Sequence, residues 1–138
     1  MIKLKSAREI KLMRDSGKVA AAVLQELEKA ISPGVTTAAL DKIAEKLIRD
    51  AGGEPASIND EVVHGIPGLR RLKEGDIISI DVGVRLKGYY SDTAATFAVG
   101  RISSLARKLI NITRQSLEEG ITAMRSGAHL TDISHAVQ

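Results

Sequence analysis

Two β-type runs, Ile77–Leu86 and Tyr89–Val99, are separated only by Lys87-Gly88, and this pairing constrains the fold more than any other feature of the chain. The runs are rich in β-branched and apolar residues, and a two-residue turn joins antiparallel strands in one register. If Leu86 faces Tyr89, then Gly83 faces Asp92 and Asp81 faces Ala94. Side chains alternate across a strand, so both aspartates fall on one face as diagonal neighbours, about 7–8 Å apart at Cα. A lone aspartate in such a run is ordinarily a turn or edge residue, because Asp is disfavoured in strands. Two carboxylates side by side repel one another unless something positive sits between them. The pair is therefore expected to converge on divalent metal, as in metal-dependent hydrolases, with Gly83 leaving room for the oxygen ligands that ions about 3.5–4 Å apart require. His64, ahead of Gly65-Ile66-Pro67, reads by itself as a turn residue.

Helical segments flank the β-rich middle. Ser6-Ala7-Arg8-Glu9 is a capping box, and Ile10, Met13, Ala20, Leu24 and Leu27 form one apolar stripe that ends at Ser32-Pro33-Gly34. A second helix starts at Thr37, buries Leu40, Ile43, Ala44, Leu47 and Ile48, and stops at Gly52-Gly53. Ser103 or Ser104 caps a third, with Leu105, Leu109, Ile112, Leu117 and Ile121 expected to face inward and Ser126-Gly127 closing it. A fourth begins at Thr131. His129, after Gly127, and His135, on this last helix, read as solvated residues.

These pieces resemble the type I methionine aminopeptidases, of pita-bread fold. The matching stretches are Asn59-Asp60-Glu61-Val62-Val63-His64-Gly65-Ile66-Pro67-Gly68, Glu74-Gly75-Asp76-Ile77-Ile78-Ser79-Ile80-Asp81-Val82-Gly83 and Gly88-Tyr89-Tyr90-Ser91-Asp92-Thr93-Ala94-Ala95-Thr96-Phe97. Further similarity runs through Ser6 to Arg49, Gly120-Ile121 and Asp132 to Gln138. The resemblance implies an α+β fold holding the N-terminal half of the pita-bread plus the first two helices of its C-terminal half, with residues 1–138 as a single, incomplete methionine aminopeptidase domain. It implies removal of the N-terminal methionine from peptides and from nascent chains at the ribosome, through two divalent ions, cobalt, manganese, iron or zinc. Asp81 would chelate one ion and Asp92 bridge both. His64 would be the catalytic, substrate-binding residue, hydrogen-bonding near the scissile peptide.

Two departures from the family pattern matter. The remaining family ligands, a histidine and two glutamates, and a second active-site histidine lie C-terminal to the segment that ends here at Gln138. Between Ala56 and Ser57, family members usually carry about a dozen further residues, a strand that lines the methionine pocket. The chain alone is thus expected to have negligible activity, and the stripe of the third helix to lack its cover, so that self-association through that face is expected. The alternatives are a metal-free pita-bread module that binds or completes a partner, and a prolidase-like peptidase. The latter usually carries an additional N-terminal domain and lacks a match to His64-Gly65-Ile66-Pro67.

Length and composition fit one domain able to bury roughly two-thirds of its unfolded surface. The net charge of +3 is spread over helices, so nucleic acid is not an expected partner. The absence of cysteine excludes disulfides. Met1-Ile2-Lys3-Leu4-Lys5 lacks the apolar core of a signal peptide and no run reaches transmembrane length, which places the expected site of action in the cytoplasm, away from membranes.

Overall fold

A computed structural model of the chain describes residues 3–56 and 65–138. It divides into two compact units, Met1–Arg101 and Ile102–Gln138.

In the first unit, α1 (Ala7–Ala30) begins where the sequence places it. Ser6 N–H donates to Glu9 Oε2 at 2.7 Å and Glu9 N–H donates to Ser6 Oγ at 3.3 Å, satisfying backbone donors that the first turn would otherwise leave without partners. The helix ends at Ile31, whose backbone is extended, ahead of Pro33. Thr36 caps α2 (Thr37–Asp50) by accepting from Ala39 N–H at 3.2 Å. Beyond α2 the chain turns at Gly52, at φ +75°, into a short strand β1 (Glu54–Pro55). β2 (Ile77–Leu86) and β3 (Tyr89–Ala98) form the hairpin, and the sheet order is β1-β2-β3. The observed register pairs Leu86 with Tyr89, Gly83 with Asp92 and Asp81 with Ala94, as the two-residue turn requires. Lys87 and Gly88 both have positive φ, 52° and 81°, the conformation that matches a hairpin turn to the twist of its strands.

One face of β2 is buried. Val82, Val84 and Leu86 join Ala20, Val23, Leu24 and Leu27 of α1 and Leu40 and Ile48 of α2 in one core. Ile43, Ala44 and Leu47 pack at its margin. Two residues of the expected α1 stripe depart from this pattern, since Ile10 and Met13 are 46% and 40% exposed. Their end of the helix lies by the hairpin turn: Glu9 meets Tyr89, and Asp15 feels the charge of Lys87. There the sheet runs out, so burial begins a turn later, at Ser16.

The second unit is a helical pair, α3 (Ser104–Ala123), capped by Ser103, and α4 (Leu130–Val137). They meet at Gly120, where an added Cβ would stand 2.7 Å from Val137 Cγ2. The apolar stripe does not face inward and, among the described residues, lacks a cover, as expected of this chain: Leu105 is 76% exposed, and Leu109, Ile112, Leu117 and Ile121 are exposed as well. α4 covers the side of α3 that carries Gly120 and leaves the stripe outside. Among the described residues, no helix is long and apolar enough to cross a membrane.

Candidate metal centre

Asp81, Gly83, Asp92 and Ala94 share the face of the hairpin opposite the helical core. Burial follows the alternation: Val82 and Val84 are buried between exposed Asp81 and Arg85. The two aspartates thus stand on one face, as their spacing predicts, over a rigid apolar backing.

They line an open cleft of about 680 Å³ within the first unit, together with Ile66, Pro67, Ala94 and the start of α2. The wall formed by Ile66-Pro67-Gly68 is tied to α2 through Thr37. Thr37 Oγ1 donates to Gly68 O at 3.1 Å and lies 2.8 Å from Gly68 N, while Ala38 N–H donates to the same carbonyl at 2.9 Å. Hydrogen bonds at a helix start thereby fix a loop that carries no regular structure of its own.

Behind Asp92, the neighbouring Ser91 reaches into the core. Its Oγ lies 2.9 Å from Ser16 Oγ, which also donates to Val84 O at 3.1 Å. Toward the sheet edge, Arg85 lies on the carboxylate face beside Gly83, but its charge is directed to Glu54 at 2.8 Å and its guanidinium sits 5.9 Å from the Tyr90 ring centroid. The hydrogen bond that Arg85 donates to the Glu54 carboxylate raises the Arg85 pKa above its ordinary value, so the cation is already engaged.

Gly83 does not serve the purpose expected of it. The space opposite Asp92 is filled rather than open, because a Cβ at Gly83 would lie 2.5 Å from the carbonyl oxygen of Ala56. That contact spans a long stretch of chain and left no local signal in the sequence. His64 lies outside the described residues. His129 and His135 are exposed in the second unit, as expected of solvated residues. Among the described residues, no group of three or more His, Cys, Asp or Glu side chains converges on a common point. Two carboxylates share a face on which a Cβ-free position admits a carbonyl oxygen. That donor chemistry is all oxygen and fits part of a site for a divalent cation.

Comparison with known proteins follows the same lines. Residues 11–138 match the model of metallopeptidase family M24. Methionine aminopeptidase 1 of Bacillus subtilis is 44% identical over 151 residues, covering 100% of this chain and 61% of its own length. The methionine aminopeptidase of Clostridium acetobutylicum is 49% identical over 152 residues with the same coverages. The crystal structure of methionine aminopeptidase from Rickettsia prowazekii superposes with a TM-score of 0.93 at 35% identity, covering 100% of this chain and 61% of that one. The chain therefore spans less than two-thirds of the length of the curated relatives it matches. The aligned stretch of 151 residues exceeds the 138 residues here, so the relatives carry positions with no counterpart in this chain. The fold is the pita-bread fold of these aminopeptidases over the portion they share.

Proposed function

Because the chain belongs to metallopeptidase family M24, matched over residues 11–138, we propose that it carries part of the metal centre and substrate cleft of a methionine aminopeptidase acting on N-terminal Met peptides and nascent chains in the cytoplasm. The observation that carries this reading is the cross-strand pairing of Gly83 with Asp92, which sets both carboxylates on one face of one cleft. Its identity of 44–49% to curated methionine aminopeptidases favours that reaction over a prolidase-like one.

In this reading Asp81 and Asp92 would hold divalent metal, cobalt, manganese, iron or zinc. A bound ion of this kind supplies an acidified water and a polarised substrate carbonyl. The chain's own residues do the rest. The hairpin, whose other face is packed on the core, fixes the backbone positions of both aspartates, so their spacing is set before metal arrives. Ile66, Pro67 and Ala94 give the cleft an apolar wall suited to a methionine side chain, and Thr37 holds that wall in place. His64, next to this wall in sequence, is proposed to hydrogen-bond near the scissile peptide.

Calorimetric titration with Mn²⁺ tests the reading. The chain should bind Mn²⁺, and Asp81→Asn and Asp92→Asn should each lose most of that binding; identical heats from all three proteins would refute it. Release of free methionine from a Met-Ala-Ser peptide by the isolated chain should be negligible, because the two ions of the proposed reaction ordinarily need about three protein ligands each, more than two carboxylates can supply. Turnover that vanishes in Asp92→Asn would show that these residues suffice.

A further inference from the structure

Gly83 stands directly across from Asp92, and the volume its missing side chain leaves is occupied by backbone. A Cβ built there would lie 2.5 Å from the Ala56 carbonyl oxygen and 3.2 Å from the Ala56 Cβ. Ala56 N–H donates to Gly83 O at 3.0 Å, which extends the β1–β2 ladder one step past Glu54↔Arg85 and Pro55↔Val84. A carbonyl that continued the ladder would lie in the plane of the sheet. This one lies where Gly83 would project a side chain, out of that plane. Side chains at positions two apart in a strand share a face, and so do directly paired residues. The direction in which Gly83 would project is therefore that of Asp81 and Asp92. The Ala56 oxygen stands on the carboxylate face, beside the gap between the two aspartates.

Resting on the metal centre proposed above, we propose that the main-chain carbonyl of Ala56 is a third oxygen donor to the ion held by Asp81 and Asp92. Backbone carbonyls are ordinary ligands of oxygen-preferring cations. A carbonyl adds a donor without adding negative charge, which suits a site where two carboxylates already repel. Directly paired side chains have Cβ atoms about 4.5–5.5 Å apart. An oxygen near the Gly83 Cβ position is thus separated from the Asp92 carboxylate by a gap that one ion with metal–oxygen bonds of about 2.0–2.6 Å can bridge. An all-oxygen set of this kind favours Mg²⁺ and Mn²⁺ over ions that prefer nitrogen or sulfur. It also assigns Gly83 a purpose: any side chain there would displace the carbonyl.

Ala56-Ser57 is the sole Ala-Ser step in the sequence. Labelling the whole chain with carbonyl-¹³C alanine and ¹⁵N serine therefore gives one carbonyl-to-amide correlation, which reports the Ala56 carbonyl alone. Selective ¹³C labelling of the aspartate carboxylates reports Asp81 and Asp92. On titration with Mg²⁺, the Ala56 carbonyl resonance is expected to shift along the same saturation curve as those carboxylates, and to stay still in Asp92→Asn. Gly83→Ala, with its hairpin amide pattern retained, should bind Mn²⁺ more weakly by on the order of tenfold, the scale on which disturbing a metal site's supporting contacts acts. If the carboxylates respond and the Ala56 carbonyl does not, the inference is overturned while the metal centre stands. If neither responds, both fall. Should Gly83→Ala fail to fold, the labelled wild-type chain still decides between these outcomes.

Discussion

Removing the hydroxyl of Ser16 should loosen the strand that carries Asp92, by an amount the hydrogen bonds allow one to work out. Ser16 is fully buried, the one buried polar residue among those described. Its Oγ donates to Val84 O at 3.1 Å, which uses its single proton, so the 2.9 Å contact with Ser91 must have Ser91 as donor and Ser16 as acceptor. Ser16→Ala deletes both bonds and leaves the half-buried Ser91 hydroxyl without that acceptor. Each lost bond costs about 0.5–1.5 kcal/mol net, and an orphaned polar group about 1–3 kcal/mol. The better helix propensity of alanine returns about 0.5 kcal/mol. The balance is a loss of about 1–2 kcal/mol. Ser91→Ala leaves the Ser16–Val84 bond intact and should cost less, about 1 kcal/mol. In the double variant no orphan remains, so the effects should fall short of additive by about 1 kcal/mol. Urea unfolding followed by circular dichroism measures this: with a slope of about 1–3 kcal/mol/M, Ser16→Ala should lower the midpoint by roughly 1 M. Strictly additive single variants, or a Ser16→Ala midpoint equal to the wild type, would refute the network.

Two further outcomes are expected. Gly120→Val should cost the α3–α4 contact about 1–3 kcal/mol by overpacking, because its Cβ would begin 2.7 Å from Val137 Cγ2. Gly120→Ala meets only the end of that side chain and regains about 1 kcal/mol of helix propensity, so it should be close to neutral. Amide exchange of α4 reads the difference, and wild-type protection in Gly120→Val would contradict it. Glu9 titrates below the ordinary glutamate range because it accepts from the Ser6 backbone N–H and then from the Ser6 hydroxyl. A depressed carboxylate stabilises the fold above its unfolded pKa, about 4.3, and that contribution is lost as pH falls through the lower folded value. The Ser6 amide should therefore become exchangeable under acid, and Ser6→Ala, which removes the hydroxyl but not the N–H, should raise the Glu9 midpoint part of the way. A Glu9 carboxylate ¹³C titration unchanged by Ser6→Ala would break that link.

The features legible in the sequence are those whose causes lie within a few residues. Lys87-Gly88 determines a two-residue turn, a two-residue turn determines register, and register puts Asp81 and Asp92 on one face. Ser6 and Glu9 announce a helix start in the same local way. Longer-range facts left weaker traces. β1 is two residues long and contains proline, which an edge strand tolerates and a sequence pattern overlooks. The periodicity of α3 showed that one face is apolar without showing what covers it, and the α1 stripe could not show where its sheet ends. Ser16 is an intermediate case. It falls between Met13 and Ala20 at helical spacing, which marks it for burial, and a buried hydroxyl must find a partner, but nothing local names Ser91 or Val84. Gly83 shows the limit most sharply. Space for metal ligands and close approach of another backbone both demand glycine, so the residue alone cannot distinguish them. The distinction comes from β1: its ladder brings Ala56 onto Gly83, with the Ala56 carbonyl oxygen 2.5 Å from where a Gly83 Cβ would stand. A gap opposite Asp92 thus becomes an oxygen opposite Asp92, and the chemistry available to the centre changes with it.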